Sequence, residues 1–199
     1  MILFGKPRFN DWTHEISKIP NICINEMTSK DNIIEIIKSK NINLVIPCTL
    51  EQMKFIIDNQ INQYIRVICS NNYNSIAILN HKGLFIEFMK NNSFDSFIPQ
   101  CHKASNTISN YPVIFKFALA CGGGGSKVCH NQKELEMRIR DARHTPYVIQ
   151  EYISGDQEYG GHMFIESGIV KHAIYYMATN TNKYYIQYGR MAKYERIDR

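Results

Sequence analysis

This chain predicts a parallel α/β unit followed by an antiparallel α+β unit, and three observations carry that expectation. Short apolar runs alternate with helix-period segments from Ile2 to about Cys69, the trace of repeated βα units. Four successive glycines, Gly122 to Gly125, then separate two strand-like segments. Two further strand-like runs meet at Glu166-Ser167-Gly168, whose composition suits a hairpin turn.

In the first unit, Ile2-Leu3-Phe4, Ile22-Cys23-Ile24, Leu44-Val45-Ile46 and Val67-Ile68-Cys69 read as four buried strands of a Rossmann-like sheet. Asp31 is placed to cap a helix with Ile33, Ile34 and Ile37 on one face, and Ser39 to Asn43 supplies its polar exit. Thr49 and Gln52 form a capping-box pattern ahead of Met53, Ile56, Ile57 and Ile61. No GxGxxG follows the first strand, so the dinucleotide fingerprint is absent and NAD is not expected.

Lys82 to Lys90 predicts a helix with Leu84, Phe85, Phe88 and Met89 facing inward, and Pro99 to Asn110 reads as a connector. Tyr111 to Leu119 is a strand, and Lys127 to His130 is a short one after the glycines. Asn131 with Glu134 then caps a helix to about Arg143. Tyr147 to Ile153, Tyr159 to Ile165 and Ile169 to Tyr176 complete the antiparallel part.

Composition narrows the function classes. No run of eighteen apolar residues occurs and the first residues lack a signal-peptide pattern, so a cytoplasmic protein without a membrane partner is expected. The six cysteines contain no CxxC pair, which fits reduced thiols better than a zinc site or a disulfide framework. The net charge of +5 is spread along the chain and forms no basic run with interleaved aromatics, so no nucleic-acid partner is expected. His130, His144, His162 and His172 have no metal-ligand spacing.

The chemistry is expected in Tyr111-Pro-Val-Ile-Phe-Lys116 and the loop that follows it. A glycine run is costly in chain entropy, and it lets backbone approach a ligand closely. Its N–H groups can turn toward anionic oxygens, with Ser126 adding a hydroxyl and Lys116 a positive charge, so a polyphosphate is the leading ligand. The Walker pattern does not fit, because strand-like Val128-Cys129 follows Ser126-Lys127 where that motif opens a helix. The loop therefore reads as a hairpin lid. In Tyr147-Val-Ile-Gln150-Glu151-Tyr152-Ile153-Ser-Gly155-Asp-Gln-Glu158, an apolar strand ends in one carboxylate, and a second follows a glycine turn. Such a pair can edge a cleft for adenosine, since carboxylates accept hydrogen bonds from ribose hydroxyls.

The order YPVIFK, GGGGS, helix, YVIQEYISGDQE resembles the ATP-grasp superfamily, which includes biotin carboxylases, carbamoyl phosphate synthetases and D-alanine ligases. The likeness covers roughly Asn71 to Ile174, and the βα units before it resemble that family's pre-ATP-grasp domain. The resemblance implies a pre-ATP-grasp-like domain over residues 1–80 and an ATP-grasp domain over 81–199. The latter would comprise a connector and helix (81–110), a glycine-rich lid (111–146) and the start of a C-terminal subdomain (147–199).

Carried onto matching positions, the resemblance makes Lys116 a nucleotide-phosphate lysine and Gly122, Gly123, Gly124, Gly125 and Ser126 the loop that closes over the phosphates. Gln150, Glu151, Tyr152 and Ile153 match the hinge at the adenine edge, and Glu158 matches the acidic residue for the ribose. Lys82 resembles an earlier phosphate-binding lysine, although His81 stands where the family often has Asp. The family's cofactors are ATP and magnesium, and its chemistry activates a carboxylate as an acylphosphate for attack by an amine or similar nucleophile. The metal-binding Glu and Glu-x-Asn pattern is not found after Glu158. The expectation is therefore the N-terminal portion or one subunit of a ligase, with an inactive nucleotide-binding or protein-interaction module as the alternative. A homodimer or a second chain completing the sheet is the expected protein partner.

Overall fold

The computed structural model describes residues 2–5, 18–24, 29–69, 72–103, 108–120, 124–180 and 192–197. It divides into two compact units, Met1–Leu79 and Asn80–Arg199.

In the first unit, β1 (Ile2–Gly5), β2 (Asn21–Ile24) and β3 (Leu44–Ile46) form a parallel sheet in the order β2-β1-β3. The register sets Leu3 opposite Ile22 and Val45. Leu3 and Val45 are fully buried. The expected fourth strand, Val67–Cys69, is a single parallel bridge from Val67 to Val45. Val45 N donates to Arg66 O and Ile68 N donates to Val45 O, both at 2.9 Å. The reason lies in the three-residue length of β3. Successive residues point their backbone groups to opposite sides, and with Leu44 and Ile46 turned to β1 only Val45 serves the other edge.

Helix α1 (Lys30–Ser39) is capped by Ser29, whose hydroxyl accepts from Asn32 N, and not by Asp31 as the sequence suggests. Asp31 sits instead in the first turn, where a negative charge complements the helix dipole. Ile33 and Ile37 are buried and Ile34 partly so. Helix α2 (Leu50–Asp58) carries the expected capping box. Gln52 N donates to Thr49 Oγ1 at 3.3 Å, while Gln52 Oε1 accepts from Thr49 N at 3.1 Å and from Cys48 N at 2.8 Å. Thr49→Ala should cost about 1 kcal/mol in denaturant unfolding of this unit. Leu3, Ile33, Ile37, Ile42, Val45, Ile56 and Ile61 form the core. A helix that the sequence reading did not anticipate, α3 (Tyr73–Asn80), starts where Asn72 Oδ1 accepts from Asn74 N and Ser75 N.

In the second unit, β4 (Cys101–His102), β5 (Val113–Phe117), β6 (Lys127–Cys129) and β7 (Tyr147–Glu151) form an antiparallel sheet in the order β4-β7-β5-β6. β4 lies inside the stretch expected to be a connector; its two residues pair with Ile149 and Gln150 of β7. Helix α4 (Lys82–Asn91) lies against β7. Leu84 and Phe88, expected to face inward, are instead exposed at 40% and 42%. Phe85 and Met89 are half-buried, so the helix meets the sheet along one narrow side. Helix α5 (Gln132–Ala142) has the anticipated cap: Asn131 Oδ1 accepts from Glu134 N, and Glu134 Oε2 accepts from His130 N. That bond from the His130 backbone is the main reason the Glu134 carboxyl is held below its ordinary pKa. α5 packs on β5 and β6 over a core that includes Val113, Phe115, Cys129, Leu135 and Ile149.

A second antiparallel sheet joins β8 (Gln157–Glu166), β9 (Ile169–Asn180) and β10 (Ala192–Ile197) in the order β10-β9-β8. β8 and β9 turn through Ser167 (φ 50°) and Gly168 (φ 77°). Two positive φ values in succession match the twist of a tight hairpin. Among the described residues, no helix is long and apolar enough to cross a membrane.

Candidate functional site

The pleat of β5 separates core from chemistry. Val113, Phe115 and Phe117 point toward α5, and the intervening Ile114 and Lys116 occupy the opposite face. Register then decides what joins Lys116 there. Lys116 pairs with Val148, Ile114 with Gln150, and Gln150 with Cys101, so Gln150 is the diagonal neighbour of Lys116. Lys116 Nζ donates to Gln150 Oε1 at 3.1 Å, and Gln150 Nε2 donates to Cys101 Sγ at 3.6 Å. Gln150 is only 7% exposed.

Lys82 reaches the same place from the start of α4. Its backbone N–H donates to Ala118 O at 3.0 Å, and its ammonium donates to Ala120 O. His81, standing where the resemblance suggests Asp, caps the helix: its Nδ1 accepts from Leu84 N at 3.2 Å. The imidazole nitrogen thus does the capping work that a carboxylate oxygen does at other helix starts. The Lys116 ammonium, on the same face, has its pKa lowered below the ordinary 10.5. Burial is the larger cause and the Lys82 ammonium the second, with a smaller opposing effect from Cys101.

The loop between β5 and β6 is described at Ala118–Ala120 and again from Gly124 onward; Gly122 and Gly123 lie outside the described residues. Gly125 has φ +71° and rests on the Phe117 ring, so a Cβ there would come within 2.3 Å of Phe117 Cδ2. Both the left-handed backbone and the ring therefore require glycine at this position. Gly125→Ala should lower stability by about 2 to 3 kcal/mol, read as a shift in the denaturant midpoint. Ser126 is buried where the loop enters β6.

The hinge residues divide. The Glu151 backbone N–H donates to Gln100 O at 2.8 Å, and its Oε1 accepts from Gln100 N at 3.0 Å. One carboxylate oxygen is thus engaged by the connector. Tyr152 N donates to Pro112 O at 3.3 Å, and Ile153 is 69% exposed. Glu158 belongs to the other sheet, exposed on β8 and opposite Ala178 of β9. These contacts therefore gather Lys82, Lys116 and Gln150. They add Cys101 and the Ala118 and Ala120 carbonyls, which the sequence reading missed. No sequence signal marks Cys101, because a two-residue edge strand has no periodicity to read.

A magnesium ion does not fit the groups gathered here, which are two ammoniums, an amide and a thiol. Among the described residues, no group of three His, Cys, Asp or Glu could hold a metal ion.

Solved structures share this fold. D-alanine–D-alanine ligase from Bacillus anthracis matches 99% of this chain and 71% of its own, at TM-score 0.59 and 15% identity. VanG D-Ala:D-Ser ligase from Enterococcus faecalis matches 98% of this chain and 75% of its own, at TM-score 0.55 and 14% identity. A biotin carboxylase–β,γ-ATP complex from Campylobacter jejuni matches 88% of this chain and 48% of its own, at TM-score 0.56 and 16% identity. The chain thus spans less than half of that carboxylase and about three quarters of the ligases. No curated protein matches it by sequence. The sequence model of the family described as "Carbamoyl-phosphate synthase L chain, ATP binding domain" matches residues 89–155, a span holding Lys116, the glycine loop and the hinge. Residues 89–155 of this chain are thus similar to the ATP-binding domain of that family, and the chain shares its fold with ATP-grasp ligases and carboxylases.

Proposed function

We propose that this chain binds ATP, with Lys82 and Lys116 on the phosphates and the Gly122–Ser126 loop closing over them. The Gln150–Ile153 hinge meets the adenine edge, and Glu158 takes the ribose hydroxyls. The domain boundary near residue 80 separates this nucleotide-binding part from a pre-ATP-grasp-like domain. In the whole protein, of which this chain supplies an N-terminal portion or a subunit, ATP activates a carboxylate as an acylphosphate for attack by an amine or similar nucleophile. No metal-dependent step is assigned to the described residues.

One observation carries the reading: Lys116 is a desolvated ammonium that faces a second ammonium, and its hydrogen-bond acceptor is an uncharged amide. Such a pair costs folding energy in the absence of a polyanion and binds one strongly when it arrives. Exposed Tyr159, Met163 and Ile165 along the ten-residue β8, an edge strand among the described residues, support a second chain or a copy of this one pairing there.

The sign of the Lys116 shift gives the test. A lysine whose folded pKa is lowered loses its proton earlier on the alkaline side than a free lysine. Phosphates favour the charged form. Binding of a nonhydrolysable ATP analogue should therefore take up protons as the pH rises toward the lowered Lys116 pKa, and affinity should fall beyond it. Calorimetry in buffers of different ionisation enthalpy measures this uptake. Heats that do not depend on buffer across the alkaline range would remove Lys116 from the phosphate site.

A further inference from the structure

We propose that Cys101 and Gln150 form a positioning relay that sets the direction of the Lys116 ammonium. The direction of each hydrogen bond follows from the chemistry of the groups. A lysine ammonium only donates, so Gln150 must present Oε1 to it, at 3.1 Å. The amide hydrogens of Gln150 then face Cys101, whose sulfur must accept, at 3.6 Å. That sulfur is free to accept because its own S–H donates to Pro99 O, at 3.2 Å. A fixed backbone carbonyl thus orients a thiol, the thiol orients a buried amide, and the amide orients the lysine.

The fold gives the relay its geometry. Cys101 is directly opposite Gln150, and Gln150 lies diagonal to Lys116 on the same face of the sheet. Because Gln150 is buried, its amide has little access to water and rotates only by giving up these partners. An uncharged acceptor also leaves the lysine's full charge available to an anion, whereas a carboxylate at position 150 would neutralise it. The relay itself rests on these contacts. Its effect on ATP affinity rests on the nucleotide reading, and the experiment separates the two.

The test uses the full chain, labelled with 13C at lysine Cε and 15N in glutamine side chains. The Lys116 signal is identified by its loss in Lys116→Met and followed with pH, alongside affinity for a nonhydrolysable ATP analogue. Cys101→Ala should displace both the Lys116 and Gln150 side-chain signals and weaken binding about threefold to tenfold. Cys101→Ser, which keeps a donor and an acceptor, should restore most of both. Gln150→Glu should raise the Lys116 titration midpoint and weaken ATP binding, because its carboxylate competes with phosphate. Unmoved Lys116 and Gln150 signals in Cys101→Ala, or no recovery in Cys101→Ser, would overturn the relay. Should Cys101→Ala fail to fold, the shape-preserving Gln150→Glu decides, and an unchanged Lys116 titration there refutes the proposal. If the signals respond as expected while wild type binds no analogue, the relay stands and the nucleotide reading falls.

Discussion

Replacing Lys116 with methionine is expected to weaken binding of an ATP analogue by about tenfold to a hundredfold while leaving the folded chain at least as stable as before. A charge-assisted hydrogen bond to phosphate contributes about 1.5 to 3 kcal/mol, which sets the size of the loss. The stability half of the prediction comes from the unliganded site. Lys116 is desolvated and repelled by Lys82, so its charged form is disfavoured by folding. A group with a lowered folded pKa of this basic type binds fewer protons folded than unfolded in the window just below 10.5. Wild-type stability should therefore rise with pH through that window, and the methionine variant should lack the rise. Methionine keeps the apolar stem that packs along the sheet and removes the charge. Parallel titration calorimetry and denaturant melts check both halves. Unchanged affinity would show that the ammonium does not meet the ligand.

Phe115→Ala is expected to cost about 3 to 5 kcal/mol, the largest loss from a single side chain in the second unit. Phe115 is 1% exposed, stacks on Tyr147 at 4.9 Å and meets the Phe117 ring edge-on at 5.3 Å. Removing it leaves a cavity between α5 and the sheet and loosens Phe117, the ring on which Gly125 rests. The damage should therefore spread into the loop proposed to cover the phosphates. A chain of two units need not unfold in one step, so the sensitive measurement is amide exchange in β5 and β7. Protection in these strands should fall while protection in β1 and β3 is kept. A uniform loss through both units would show that the core is not confined to the second.

Much of this architecture is legible from local chemistry. The capping box of Thr49 and Gln52, the Asn131 cap and the Ser167-Gly168 turn are set by residues within a few positions of one another, and each forms as anticipated. Errors arise where a neighbour in space decides. Val67–Cys69 has strand composition, yet a three-residue β3 has only Val45 to pair with it. Leu84 and Phe88 have inward helical spacing, yet α4 meets the sheet along one side only. Cys101 sits in a connector by every sequence criterion and becomes an edge strand because β7 has an open side.

The site divides in the same way. Lys116 and the glycines stand out in the sequence because their residue types are costly without a purpose: a charge on an apolar strand and a glycine run between strands. The placement of Lys82 against the Ala118–Ala120 turn, and the chain of contacts from Cys101 through Gln150 to Lys116, depend on register between segments far apart in the chain. Residue identity alone determined which chemistry was available and where helices α2, α4 and α5 begin. Tertiary structure decided which of those groups meet, because strand pairing and burial are long-range choices that no local pattern encodes.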